Sequence, residues 1–591
     1  MTKKIIALKN LGIYSIIPIL SIAQAPSFLH STDLLRVITL LIATTIALYL
    51  NKANFAIKNL LQAVPFLLII IYLVNEFILK NDITTFLLGR FNRYGGFIAL
   101  ISFAIYFIIT SNRNSDSKKY FVQSIYFSYI VLLFYGLLIL FGLVSNSSYF
   151  DANEKIIKIS NDLSLTFGNS NIASAFLGIT ISVHIILMLF KLFNNYYIQF
   201  IILFVSIFLL YQTKSIQGFV VLVCNIFVGL TVIYRRNQEK ITTKTKVFFS
   251  LVTLTVSIGL VSNITKLWQY IYINGHAQER IKYWESSISI WEDFKFTGVG
   301  LDNLGELSTF YRDLELAKQE GAWTVPDRSH NVLLDHLVNG GLFAGITWLF
   351  FLVFISVLAI QRLIHDRKDR ASGYDIAVTS VWIGYLVQSL ISTDHLLLTL
   401  IGCLSAGLIL GSYLNSKTFK VFFNPKVSSG LVLTLIVLLL FTGNQLRMDY
   451  NINRFLKFGD TSKLEEIYNN KFVEQQSYLD VVVKLSGDKQ FKLASSFGNK
   501  LLTVNPYAHQ AYYANSVLLE SEGNLAEAKL EMEKAHRLDK YNSVYTLSLG
   551  IYEFNLKNYP KAQFWLEETI NLNPNQQGNE ILQRSLAAKI K

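Results

Sequence analysis

Residues 275–345 read GHAQERIKYWESSISIWEDFKFTGVGLDNLGELSTFYRDLELAKQEGAWTVPDRSHNVLLDHLVNGGLFAG, the longest polar interruption in an otherwise strongly apolar chain. From Arg280 to Trp291, the residues Arg280, Tyr283, Trp284, Ser287, Ile288 and Trp291 recur at helical spacing, so one face carries a cation, aromatic rings and an aliphatic. That composition suits a helix lying on a membrane surface. Gly298-Val299-Gly300 ends it. Further on, Ser329-His330-Asn331 stands directly before a new hydrophobic run, which places a histidine at the bilayer surface.

Outside this stretch the composition decides the class. A chain of 591 residues with 52% apolar and 14% aromatic residues and a mean hydropathy of +0.39 is too hydrophobic for a large soluble protein. It reads as a polytopic membrane protein. Cys224 and Cys403 both fall inside apolar runs, where a thiol behaves as a small hydrophobe, and they cannot build a disulfide framework or a metal cluster. The net charge of +13 sits mostly in short loops between apolar runs, so it reports orientation and implies no nucleic-acid partner.

A span needs about 20 residues to cross about 30 Å of hydrocarbon. Thirteen runs qualify: 11–29, 34–50, 60–79, 94–110, 120–144, 171–192, 197–212, 216–234, 247–263, 331–360, 376–392, 395–414 and the short 430–443. With Lys3, Lys4 and Lys9 in the cytoplasm and the loops alternating, the inside loops hold most of the connecting basic residues, among them Arg113, Lys118, Lys119, Arg235, Arg236, Arg367 and Arg370. The long 264–330 loop instead has seven basic against ten acidic residues. The positive-inside rule therefore puts that loop and the carboxyl-terminal tail outside the cytoplasm. Ala23-Gln24-Ala25 imitates a signal-peptide cleavage site, but Pro26 follows at once, and the first run is kept as a membrane span.

Beyond about residue 444 a helical repeat appears. Ala494, Ala528 and Ala562 are 34 residues apart, as are Pro506, Lys540 and Pro574. With Leu549-Gly550, these offsets resemble a short tetratricopeptide array, in which small residues let paired helices approach. The expected fold is thus an all-α polytopic transmembrane helical bundle of about 12–13 spans with a large extracytoplasmic loop and a carboxyl-terminal helical repeat domain. Its parts are 1–443 for the membrane domain with the 264–330 loop, 444–474 for a linker, and 475–591 for the repeats.

Taken together, an arginine leading a tryptophan-containing amphipathic helix, a Gly-Val-Gly turn, and a His-Asn pair opening a membrane helix that soon reaches Gly340-Gly341 are similar to the signature of the O-antigen ligase and polymerase superfamily. That superfamily includes the bacterial O-oligosaccharyltransferases. The resemblance implies a glycosyltransferase of the bacterial cytoplasmic membrane that passes a glycan from a polyprenyl-diphosphate carrier to an acceptor hydroxyl on the outer side. The acceptor would be a lipid A core, another glycan or a protein. No metal and no cofactor is implied: there is no Asp-x-Asp, nucleotide cradle or zinc spacing, and a cytoplasmic sugar nucleotide is not the expected donor.

Several cations gather at the outer face in this topology: Arg90 and Arg93 in GRFNRYGG, Lys214 in TKSIQG, Arg280 and Arg328. Cations near a membrane core cost roughly 2.5–3.5 kcal/mol each at a helix centre, so a cluster calls for an anionic ligand, with snorkelling towards headgroups as the plain alternative. The resemblance assigns diphosphate binding to Arg280 with Arg93, Lys214 and Arg90. Lys214 departs from the pattern, which has an arginine after Thr-x-Ser; here Thr213-Lys214-Ser215 is followed by Ile216 and Gln217. His330 is the candidate general base, its imidazole titrating ordinarily near 6.5. Asn331 and Asp394 are candidate supports, Asn331 for orienting the ring or the acceptor. Asp394-His395 otherwise reads as a solvated turn, and His336 as a packed residue. Gly341 and Gly345 read as a close helix contact, and Phe167-Gly168-Asn169-Ser170-Asn171 resembles a family loop of unassigned chemistry. Polysaccharide export and a non-catalytic anchor for the repeats are the readings of another class, and the repeats imply a protein partner.

Overall fold

The computed structural model describes residues 10–23, 29–31, 33–51, 55–113, 116–144, 149–150, 156–157, 162–193, 195–236, 277–322, 326–364, 372–414, 421–422 and 425–590. Where described, the protein is all-α apart from two two-residue antiparallel ladders, Ala56–Ile57 with Val421–Phe422 and Tyr149–Phe150 with Ile156–Ile157.

The apolar part comprises α1 (Asn10–Ile22), α2 (Leu34–Asn51), α3 (Leu60–Leu79), a short α4 (Ile83–Leu88), α5 (Phe97–Ser111), α6 (Ser117–Leu140), α7 (Ser170–Leu189), α8 (Tyr196–Gln212) and α9 (Gln217–Arg236). The polar stretch then supplies α10 (Ala277–Asp293), α11 (Leu304–Tyr311) and α12 (Leu314–Glu320). After it come α13 (Val332–Ile364), α14 (Gly373–Ile391), α15 (Leu396–Gly411) and α16 (Pro425–Phe458). Seven of these are long and apolar enough to cross a membrane, namely α2, α3, α6, α7, α13, α14 and α16, and α1, α5, α8, α9 and α15 are shorter apolar helices. Twelve predicted runs thus have a helix, and 247–263 lies outside the described residues.

Lipid offers the backbone no partner, so such runs must close their hydrogen bonds internally as helices. Hydroxyls embedded in them follow the same rule: Thr44 donates to Leu40 O (2.7 Å) and Ser102 to Ile98 O (2.7 Å). The interior of the bundle is formed by α5, packed on α2, α3 and α15, and by α7, packed on α9 and α14. Gly178 backs directly onto Gly218, which brings α7 and α9 together. Phe77, Phe134, Phe204 and Leu440 face outward, as a lipid-facing surface requires. At one end Lys118 pairs with Asp375, which also takes Arg362 at 3.7 Å; the candidate residues lie at the other end of α13.

Two expectations change here. Residues 277–322 of the long polar loop form three helices, of which α10 and α11 pack on α13. Gly341 is a break in α13, with φ 70° and ψ −172°, and not a helix contact. The Gly298-Val299-Gly300 turn fills that break: Val299 N–H donates to Val338 O (3.0 Å), Gly300 N–H to Asn339 O (2.9 Å) and Leu342 N–H to Lys295 O (2.8 Å). A Cβ on Gly341 would collide with Phe296 O, and one on Gly298 with the backbone at Asn339.

The second change concerns 444–474, expected as a linker. Helix α16 passes unbroken through residue 444 to Phe458, and α17 (Leu464–Asn469) follows within a few residues. Three helix pairs succeed it, α18 (Gln475–Gly487) with α19 (Phe491–Val504), α20 (His509–Ser521) with α21 (Leu525–Leu538), and α22 (Ser543–Asn555) with α23 (Tyr559–Leu572), closed by α24 (Asn579–Ile590). Pair starts at Gln475, His509 and Ser543 are 34 residues apart, and Ala494, Ala528 and Ala562 are buried between the paired helices. The stack is seated on the polar loops. Arg312 meets Asp539 at 2.7 Å with both side chains fully buried, and Gln475 donates to Thr85 Oγ1 (3.1 Å).

Candidate active site

The break at Gly341 fixes where α10 sits, and α10 lies against the start of α13. Ser287 donates to Ser329 (2.9 Å), and the Tyr283 ring lies beside that of His330, centroids 5.1 Å apart. His330 takes a left-handed backbone, φ 55°, which is uncommon for a side chain larger than glycine. Burial lowers its pKa to about 4; Asp327 works against that, and Arg93, Arg280 and Arg328 add to it. The imidazole is therefore neutral at physiological pH, and its Nδ1 is shut off from solvent without a partner.

Asp327 holds Arg93 with two bonds, to Nε at 2.6 Å and to the terminal nitrogen at 3.1 Å. The guanidinium keeps the Asp327 carboxyl well below the usual carboxylate range despite its burial. Arg328 is buried against Asp302 (2.6 Å). Gly95 packs against the Arg328 guanidinium, so the protein's own ion pair occupies the space beside it. Arg280 sits in the first turn of α10, half-buried, with no ion pair among the described residues.

A cavity of about 260 Å³ opens among Arg93, Asp327, Asp33, Asn169 and the Asp394-His395 pair. A smaller one, about 60 Å³, continues inward past Arg93, Asp394 and His395 to Arg328, Asp335 and His336. Neither His330 nor Arg280 is in the wall of either; His330 lies in the field of Asp327, which is in the wall of the larger cavity.

The remaining candidates separate. Arg90 points to the repeat side, pairing with Glu306 (3.0 Å) and packing on Gly305, and is not in the wall of the Arg93 cavity. Lys214 is more than half exposed and pairs with Asp162 (2.9 Å), in the wall of neither cavity. Asn331 caps α13 through the N–H groups of Leu333 (3.0 Å) and Leu334 (3.2 Å) and donates to Leu390 O (3.1 Å), so its amide orients a helix start and not the His330 ring. Asp394 accepts from Thr399 Oγ1 and from His395 N–H (2.9 Å) in a half-buried position, where a solvated turn was expected; desolvation raises its pKa. His336 is packed as expected, sharing a hydrogen bond with Tyr72 Oη (2.9 Å) beside Trp348.

Three features of this site go beyond what the sequence assigned. Arg36, buried in the first turn of α2, pairs with Asp33, donates to Thr166 O and lies over the Phe167 ring. A cation inside the 34–50 apolar run was the available signal. His395 accepts the Leu397 N–H at Nδ1 (3.2 Å), which leaves its proton on Nε2, and that nitrogen is buried without a partner next to both cavities. The Phe167-Gly168-Asn169 loop is a wall of the larger cavity, and Asn169 also caps α7.

No curated protein matches the chain. Residues 163–349 match the profile of a family described as O-antigen ligase, a region that begins at the loop before α7 and ends in α13 and so contains Lys214, Arg280, Asp327 and His330. That match supports the O-antigen ligase superfamily for this multi-pass helical membrane protein, and with it membrane glycosyl transfer of the ligase or polymerase type in general.

Proposed function

We propose that the protein transfers a glycan from a lipid diphosphate to an acceptor hydroxyl at the extracytoplasmic face of the cytoplasmic membrane. The observation that carries this reading is the convergence on one imidazole: His330 lies in the field of Arg93, Arg280, Arg328 and Asp327, beside a cavity with polar walls.

A neutral imidazole can accept the acceptor's hydroxyl proton. The acceptor oxygen then bonds to the anomeric carbon, and the bond from that carbon to the diphosphate breaks with its electron pair on the phosphate oxygen. A single displacement of this kind inverts the anomer. Arg280 and Arg93 bind the leaving diphosphate, since the guanidinium fork donates two bonds to phosphate oxygens and offsets developing charge in a partly dehydrated site. Asp327 has two roles in turn. It holds Arg93 in position until phosphate takes the fork, and the carboxylate so released stabilises the His330 imidazolium. Lys214 and Arg90, each held by its own carboxylate away from Arg93, are left out of diphosphate binding.

The test is reconstitution of the purified chain with a lipid-linked oligosaccharide and candidate acceptors. Arg280→Ala and His330→Ala should each abolish transfer while the protein still inserts and keeps its melting temperature. Wild-type activity in both variants removes the mechanism. The product formed, on lipid A core, on glycan or on protein, identifies the acceptor.

A further inference from the structure

A second cavity lies at the seam between the repeats and the polar loops, about 80 Å³, with Arg90, Phe91 and Glu306 on one side and Glu474, Gln475 and Tyr507 on the other. It is not part of the Arg93 site, yet Phe91 is in the walls of both, so only the GRFNR segment separates them. Two oxygens of its wall, Oε1 of Glu474 and Oε1 of Gln475, are shut off from solvent with no hydrogen-bond partner among the described residues. Buried acceptors without a donor are uncommon and costly, about 1–3 kcal/mol each, and call for an explanation.

We propose that this seam binds a saccharide unit of the glycan being handled, one or more residues away from the reacting sugar. The proposal rests on the glycosyl-transfer reading. Sugar hydroxyls are the donors that the two orphaned oxygens lack. Phe91 and half-exposed Tyr507 offer ring faces against which a pyranose can lie, and the Arg90–Glu306 pair, 3.0 Å apart, presents both donors and acceptors at the rim. Desolvation first, and then the nearby Asp449, Asp82 and Asp480, push the carboxyl of half-buried Glu474 towards the neutral acid, and it takes a long bond from Tyr94 Oη (3.4 Å). A neutral acid suits hydroxyl recognition better than it suits a cation. A peptide groove would instead need apolar anchors, and this wall is mostly amide, hydroxyl and charge. The walls come from two parts of the chain, so the site exists only while the repeats are seated.

The experiment uses the full-length His330→Ala protein in nanodiscs, so that binding is read without turnover, by saturation-transfer NMR. The probes are the oligosaccharide freed by mild acid from the cell's lipid-linked pool, the sugar core freed by mild acid from its lipopolysaccharide, and a serine- and threonine-rich peptide. One of the two sugars should give a signal that falls at least fivefold in Gln475→Ala/Tyr507→Ala, and which sugar it is assigns the seam to donor or acceptor. If that double variant loses its thermal transition, Gln475→Ala alone carries the same comparison. No sugar signal, a sugar signal equal in both proteins, or a response confined to the peptide overturns the proposal. A seam-dependent sugar signal with no transfer by the wild-type protein would instead refute the transferase reading and leave the seam site standing.

Discussion

His330 concentrates the chemistry into one titration. Burial and three neighbouring guanidinium groups hold its pKa near 4, with Asp327 opposing them. Activity that needs the neutral ring is lost as pH falls through that pKa. The acid limb of kcat/KM, which reports the free enzyme, should therefore lie near pH 4, whereas that of kcat should lie higher, because a bound diphosphate offsets the cations. Asp327→Asn removes the opposing charge, so its kcat/KM limb should move to still lower pH, and the KM for donor should change as Arg93 loses its partner. An unmoved limb in that variant would contradict the assignment. Arg280 and His330 were legible in the sequence because each belongs to a short local pattern. Asp302 and Asp327 were not, since Arg93–Asp327 joins positions more than 200 residues apart and Asp302 meets Arg328, and nothing local marks which carboxylate meets which cation. The pairings of Lys214 and Arg90 were not legible for the same reason: their partners, Asp162 and Glu306, lie far from them along the chain.

At the scale of elements, the site depends on a turn inserted into a broken helix. Gly341→Ala must adopt φ near 70° and also collide with Phe296 O, so it should cost about 1–3 kcal/mol in backbone strain alone and lower both the melting temperature and transfer. Gly430→Ala, where an added methyl meets nothing within 4 Å, is the matched control and should leave both unchanged. Periodicity showed where α10 and α13 begin and end, since each has its own amphipathic or apolar pattern. It did not reveal the interruption of α13, because a Gly-Gly pair inside an apolar run reads equally as a packing contact, and two of the three N–H donors at the break come from the distant Gly298-Val299-Gly300 turn.

At the scale of the whole molecule, the repeats are held by a pair that solvent does not reach. Arg312→Met leaves Asp539 charged and uncompensated in the interior, which should cost about 3–5 kcal/mol and expose the 301–322 segment to proteolysis. Arg312→Met/Asp539→Leu should recover most of that loss, and protease cleavage rates compare the two. Twelve of the thirteen apolar runs read from hydropathy have a helix among the described residues, and the 34-residue period shows in three alanines. What escaped was the join between the two halves, because α16 becomes polar after its apolar part without ceasing to be a helix.

That join sets the rotational phase of everything beyond it. A rod of 34 residues is about 50 Å long, and each residue added within it turns the downstream part by about 100°. One alanine inserted near Gly443 should swing the repeats off their seat and uncouple Arg312 from Asp539, whereas seven, close to two full turns, should bring them nearly back into azimuth, displaced along the axis by about 10 Å. Crosslinking between cysteines placed at Thr85 and Gln475 would read that periodicity directly, present in the parent, lost with one added residue, and absent again with seven only if height as well as angle is dictated by the rod.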